Sequence, residues 1–111
     1  MDEQILKRQA LKEWNPGLLE LIDEIMDIHL KKSHDYSHGG NPYSNFEGIA
    51  QRTGLSVDMV FQVMIAVKEE RLVALLGEGK EPMNESIADT YLDQALYTLL
   101  RAAYARRGSQ A

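Results

Sequence analysis

The chain has 111 residues, 44% of them apolar, and its 17 acidic residues against 12 basic ones leave a net charge of −5. That length suits one domain burying roughly two-thirds of its unfolded surface, and no run approaches the roughly 18 apolar residues of a membrane span. Cysteine is absent, which excludes disulfides, thiolate catalysis and cysteine-based zinc sites, while the acidic balance opposes binding to duplex nucleic acid.

The first predicted element is a helix from about Asp2 to Trp14, with a weak apolar stripe of Leu6, Ala10, Leu11 and Trp14. Its opening residues, Met1-Asp2-Glu3-Gln4-Ile5-Leu6-Lys7, are acidic and amphipathic rather than secretory, so the chain reads as cytoplasmic with no membrane partner. Asn15-Pro16-Gly17 stops this helix and starts the next, Asn15 as N-cap and Pro16 as first helical residue. Helix two, about Pro16 to Lys32, carries Leu18, Ile22, Ile25, Met26 and His29 on one face and Glu20, Asp23, Glu24, Asp27 and Lys31 on the other.

The stretch Ser33 to Tyr43 reads as a loop, because its Gly39-Gly40 and Asn41-Pro42 pairs are strong breakers. Ser44-Asn45-Phe46-Glu47 has the form of a capping box and opens a short helix that Gly54 ends. Ser56 caps a long helix from Val57 to Leu76, broken by Gly77 to Pro82. Asn84 or Ser86 caps the last helix, with Ala88, Leu92, Ala95, Leu96, Leu99 and Ala103 as its inner stripe. No alternating strand pattern occurs. The expectation is an all-α single domain over residues 1–111, a bundle of four to five helices completed by oligomerisation.

The most informative residue is Lys68. At about 100° per residue it falls between Phe61, Met64, Leu72 and Leu75 on the apolar stripe of the long helix, with Arg71 at the stripe's edge. An ammonium there needs a carboxylate or a bound anion. The last helix offers Glu85, Asp89 and Asp93 at intervals of four, a strip expected to attract Mg²⁺ or the two cations. Glu85 and Asp89 are candidate catalytic residues, and all three carboxylates are candidate metal ligands. Two ordinary explanations stand beside this. Acidic residues in a first turn favour the helix dipole, and Lys68 with a carboxylate makes a helix-locking ion pair. The short connection from Gly77 to Asn84 makes the two helices antiparallel neighbours, so Lys68 is expected to meet Asp89 or Asp93 ahead of Glu85.

Lys68 and Arg71 together suit a phosphorylated ligand. Around Lys32, the residues Asp35 and Tyr36 and, further on, Asn45 are candidates to contact the rest of it: a tyrosine stacks on a base, and an asparagine hydrogen-bonds a base edge. Among His29, His34 and His38, no two share the i, i+4 spacing with a glutamate between them that would indicate a zinc helix.

Lys32-x-x-Asp35-Tyr36, then Asn45-Phe46, then Lys68-x-x-Arg71-Leu72, then Glu85-Ser86-x-x-Asp89-Thr90-x-x-x-Asp93-x-x-x-Tyr97 resembles a family of small phage and bacterial helical proteins, the nucleotide modification associated domain 1 family. The resemblance covers about residues 28–100. Ser37 stands where many members of that family have glycine, so the turn after Asp35-Tyr36 is expected to differ. The resemblance implies a phage-type accessory protein of nucleotide metabolism, working in the host cytoplasm if phage-encoded. Its ligand would be a nucleotide or related phosphate-bearing molecule that it binds and, with Mg²⁺, hydrolyses. The alternative is a non-catalytic protein that sequesters a nucleotide or binds a host protein, or a structural bundle with a buried ion-pair cluster.

A more distant likeness is to MazG-type all-α nucleoside triphosphate pyrophosphohydrolases. Those hold Mg²⁺ with Glu-x-x-Glu and Glu-x-x-Asp pairs, whereas here Glu85 and Asp89 are one residue further apart and Lys68-Glu69-Glu70-Arg71 stands at the first pair's position. Basic residues there would meet phosphate directly and weaken a metal site.

Overall fold

Short polar caps cut this chain into helices, and the apolar faces between them decide which helices meet. The computed structural model describes residues 2–109. Met1, Gln110 and Ala111, at the ends of the domain expected over 1–111, lie outside the described residues. The elements are α1 (Glu3–Trp14), α2 (Pro16–Tyr36), α3 (Ser44–Thr53), α4 (Val57–Glu78) and α5 (Ile87–Ser109). Among the described residues there is no strand, only an isolated bridge between His38 and Asn41. Among the described residues no helix is long and apolar enough to cross a membrane.

Several boundaries move from their predicted places, each for a local reason. The polar run Ser33 to Tyr36 continues α2 instead of leaving it, since the Ser37 N–H still reaches the Ser33 carbonyl at 3.0 Å. The chain turns only at Gly39 and Gly40, whose φ of 66° and 70° favour glycine. Ser44 does not cap α3. Its hydroxyl accepts the His38 N–H at 2.8 Å, and Glu47 takes the Asn41 amide at 2.6 Å and the Tyr104 hydroxyl at 3.0 Å. The predicted box is thus spent on holding the preceding loop. Helix α4 runs through Gly77 and ends at Gly79, where the Lys80 N–H closes on the Leu75 carbonyl at 3.0 Å. Of the two predicted caps for α5, Ser86 serves, accepting the Asp89 N–H at 3.0 Å.

Phe46, Val60, Phe61, Leu96, Tyr97 and Leu100 form the core, with Ile25 and Ile28 of α2 packed against it. Helices α4 and α5 run antiparallel, as the pairs Asp58–Arg101, Lys68–Asp93 and Arg71–Glu85 demonstrate. The inner face of α5 is rotated from the predicted stripe: Thr90, Asp93, Tyr97 and Leu100 are buried with Leu92 and Leu96, whereas Leu99, Ala88 and Ala103 are exposed. Arg101 and Tyr104 set that rotation, one reaching Asp58 at 2.8 Å and Gln62 at 2.6 Å, the other reaching Glu47.

Helices α1 and α2 form a hairpin pinned by Arg8 and Asp23 at 2.6 Å, and neither helix contains a buried residue. Of the expected stripe of α1, Leu11 is half-buried while Leu6, Ala10 and Trp14 are exposed, Trp14 at 89%.

Candidate functional site

The loop before α5 decides the character of the Lys68 region. Because α5 begins at Ile87, Glu85 lies outside the helix, and the three carboxylates spaced by four do not stack on one face. Glu85 turns back toward α4. Its carboxylate takes the Lys68 ammonium at 3.0 and 3.2 Å, and its carbonyl accepts a hydrogen bond from Arg71. Asp93, only 7% exposed, receives Lys68 at 2.9 Å on one oxygen and Lys32 at 3.2 Å on the other. Asp89 is exposed and joins neither pair. The contact expected with Asp93 forms, the one expected with Asp89 does not, and Glu85 takes part ahead of its expected rank.

The result is a chain of alternating charge, Arg71–Glu85–Lys68–Asp93–Lys32, that ties α2, α4 and the start of α5 together. Three cations stand against two carboxylates. One guanidinium nitrogen of Arg71, Nη1, is buried with no hydrogen-bond partner among the described residues. Among those residues no group of three or more histidines and carboxylates is gathered to hold a metal ion. Of the three carboxylates expected to hold one, Glu85 and Asp93 are paired with lysine, and Asp89 stands apart from them.

Burial alone would lower the pKa of Lys68, but its hydrogen bonds to Asp93 and Glu85 and their charges outweigh this and raise it above the ordinary 10.5. Burial would likewise raise Asp93, yet Lys68 and Lys32 hold it below 3.8. The Asp93 contribution to stability is present above the unfolded carboxylate value and disappears as pH falls through the lower folded one. The Lys68 contribution is present below 10.5 and fades as pH rises through its raised folded value. The melting temperature of the parent protein should therefore fall at both ends of that window, and a Lys68→Met variant should show a shallower alkaline decline, the share of Tyr104, whose pKa burial and Glu47 also raise, remaining.

Thr90 completes the base of this network. It is fully buried, its hydroxyl lying 2.6 Å from Glu85 Oε2 and 3.1 Å from the Ser86 carbonyl. Thr90→Val should cost about 1 kcal/mol, the net worth of one hydrogen bond, since Glu85 Oε2 keeps the Lys68 ammonium at 3.2 Å. Urea unfolding measures this; a loss under about 0.5 kcal/mol would mean that the cations alone position Glu85.

Beside the network lies a cavity of about 330 Å³ between α2, α3 and α5. Lys32, Tyr36 and Asn45 line it, as do His29, Ser33, Phe46, Met64 and Tyr97. Lys32 joins the two places: its ammonium pairs with Asp93 and stands 5.5 Å from the Tyr97 ring centroid, a cation–π distance. Three of the predicted ligand-contacting residues thus converge on one pocket. Asp35 stays outside it, exposed and paired with His34 at 3.2 Å. Lys68 and Arg71 are not among the lining residues. Tyr97, Ser33 and His29 line the cavity although sequence reasoning assigned none of them a ligand-binding role; Tyr97 stood in the resemblance motif, one turn beyond Asp93.

No protein-family model, curated protein or solved structure matches this chain.

Proposed function

We propose that the protein binds a nucleotide or a related phosphate-bearing ligand in the α2–α3–α5 cavity. The observation that carries this reading is the local excess of positive charge. Lys32 lines an aromatic cavity and ends a network in which it, Lys68 and Arg71 outnumber Glu85 and Asp93, in a chain whose net charge is −5. An anionic group on a ring-bearing ligand supplies the missing negative charge, and Tyr97 and Phe46 offer surfaces for the ring. Lys32 is the direct phosphate contact in this reading. Asn45 is the polar group available to a base edge, and Tyr36 closes the outer wall. The resemblance of Lys32 to Tyr36 and of Asn45-Phe46 to the phage family points to the same class of ligand.

Binding without turnover is the preferred form. Glu85 and Asp93 are engaged by lysine and Asp89 stands apart, so Mg²⁺-dependent hydrolysis has to displace those pairs first. A purely structural role is favoured for one part of the network, Lys68, whose ammonium is fully used by two carboxylates. The test is a thermal-shift series with nucleoside mono-, di- and triphosphates, with and without Mg²⁺. A ligand at 100 times its dissociation constant adds about 2.7 kcal/mol. Lys32→Met should weaken binding by about tenfold or more, the loss of one charge-assisted hydrogen bond, whereas Asp35→Asn should leave it unchanged. Product release in the presence of Mg²⁺ would favour the catalytic alternative.

A further inference from the structure

The protein exposes far more surface than a compact monomer of its size. Its accessible area is 8178 Å² for a 12.6 kDa chain, where a folded monomer of that mass shows roughly 6,200 Å². Its radius of gyration is 16.4 Å, against about 13 Å for a compact chain of this length. The α1–α2 arm contributes to both excesses, beside exposed side chains on α4 and α5. Helices α1 and α2 together contain no buried residue, and α1, of 12 residues, lies against α2 with Leu11 and Leu19 only half-buried and Arg8 paired to Asp23. An isolated helix of that length is marginal in water.

The uncovered part of α2 is specific. Leu18, Leu21, Ile22 and Met26 are exposed and lie within about 140° of one another on the helix. They continue the line of Ile25, which already packs against the core. The opposite face carries Glu20, Glu24 and Asp27, all exposed. A strip of this kind, apolar on one side and acidic on the other, pairs with its own copy while the carboxylates stay in water. The surplus area, about 2,000 Å² per chain, is of the size that a permanent homodimer interface removes from each subunit.

We infer that a second copy of this chain covers the Leu18–Leu21–Ile22–Met26 strip, and that α1 keeps its helical form through that pairing. The symmetry is isologous, each α1–α2 arm lying against the other. The same helix carries His29 and Lys32 one to two turns further on, so the pairing also steadies one wall of the candidate cavity. The inference does not depend on the nature of the cavity's ligand.

Sedimentation equilibrium of the intact protein tests it, with a mass of twice 12.6 kDa expected at concentrations near 10 µM. Ile22→Glu with Met26→Glu should weaken association by about 100-fold or more, because two charges would enter a dry interface. Val63→Glu, placed on the separate exposed strip of α4, should leave it intact. Hydrogen exchange on the unaltered protein gives a readout that needs no variant. On dilution, amides of α1 and the first half of α2 should lose protection while those of α4 and α5 keep it. A monomer at about 100 µM, a dimer that survives the paired substitution, or dissociation by Val63→Glu would each overturn the inference, as would protection of α1 that ignores concentration.

Discussion

Phe61→Ala should remove about 3–5 kcal/mol of stability, the usual cost of emptying an aromatic core position. Phe61 is completely buried. Its ring lies 4.6 Å from the Phe46 centroid and 6.4 Å from that of Tyr104, so one side chain joins α3, α4 and α5. The surrounding core is small, and no flexible neighbour is available to fill the space on all sides. Domains of this size have only about 5–15 kcal/mol in total, so the variant should melt about 15 °C or more below the parent. A fall of only a few degrees would mean that Phe61 is not the centre of the core.

Lys68→Met has the second largest expected effect and tells scaffold from site. Methionine suits the apolar neighbours of that position, Met64, Leu72 and Leu75. Removing the ammonium nevertheless leaves Asp93 nearly buried with Lys32 as its remaining cation, and leaves Glu85 with Arg71 and Thr90. Breaking such a pair from one side costs about 3–5 kcal/mol, and the low end applies here because each carboxylate keeps a cation, Lys32 for Asp93 and Arg71 for Glu85. Adding Asp93→Leu should recover at least half of the loss, since the uncompensated charge is then gone and Lys32, the more exposed lysine, is free to turn to water. A single variant as stable as the parent would show that Lys68 contributes no net stability.

The helices themselves were legible because capping and breaking residues act locally: Asn15, Ser56 and Gly54 sit where the pattern puts them. Antiparallel packing of α4 on α5 followed from a short connection. Rotation about a helix axis is another matter. The side of α5 that faces inward depends on Arg101 finding Asp58 and on Tyr104 finding Glu47, partners 43 and 57 residues away. No local periodicity encodes them. The strip of carboxylates failed for a related reason: a spacing of four means one face only inside a helix, and Glu85 precedes the first turn. Lys68 was recognised as a cation in need of a partner, and it has two. The cavity was visible only in outline, through Lys32, Tyr36 and Asn45, because its floor is made by Tyr97 and Leu100 from the far end of the chain. On α2 the apolar pattern is covered only in part, by the core at Ile25 and Ile28, while Leu18, Leu21, Ile22 and Met26 stay exposed.

The central claim is that the cavity beside Lys32 takes a phosphate-bearing ring. The most direct test is an amide and side-chain NMR titration of the unaltered protein with nucleoside mono-, di- and triphosphates, in the presence and absence of Mg²⁺. Saturable shifts at Ser33, Asn45 and Tyr97, diminished in Lys32→Met and preserved without the metal, are the predicted result. Shifts confined to other surfaces, or none at millimolar nucleotide of any phosphate count, would contradict the claim and leave the network of Arg71, Glu85, Lys68, Asp93 and Lys32 as a strut between helices.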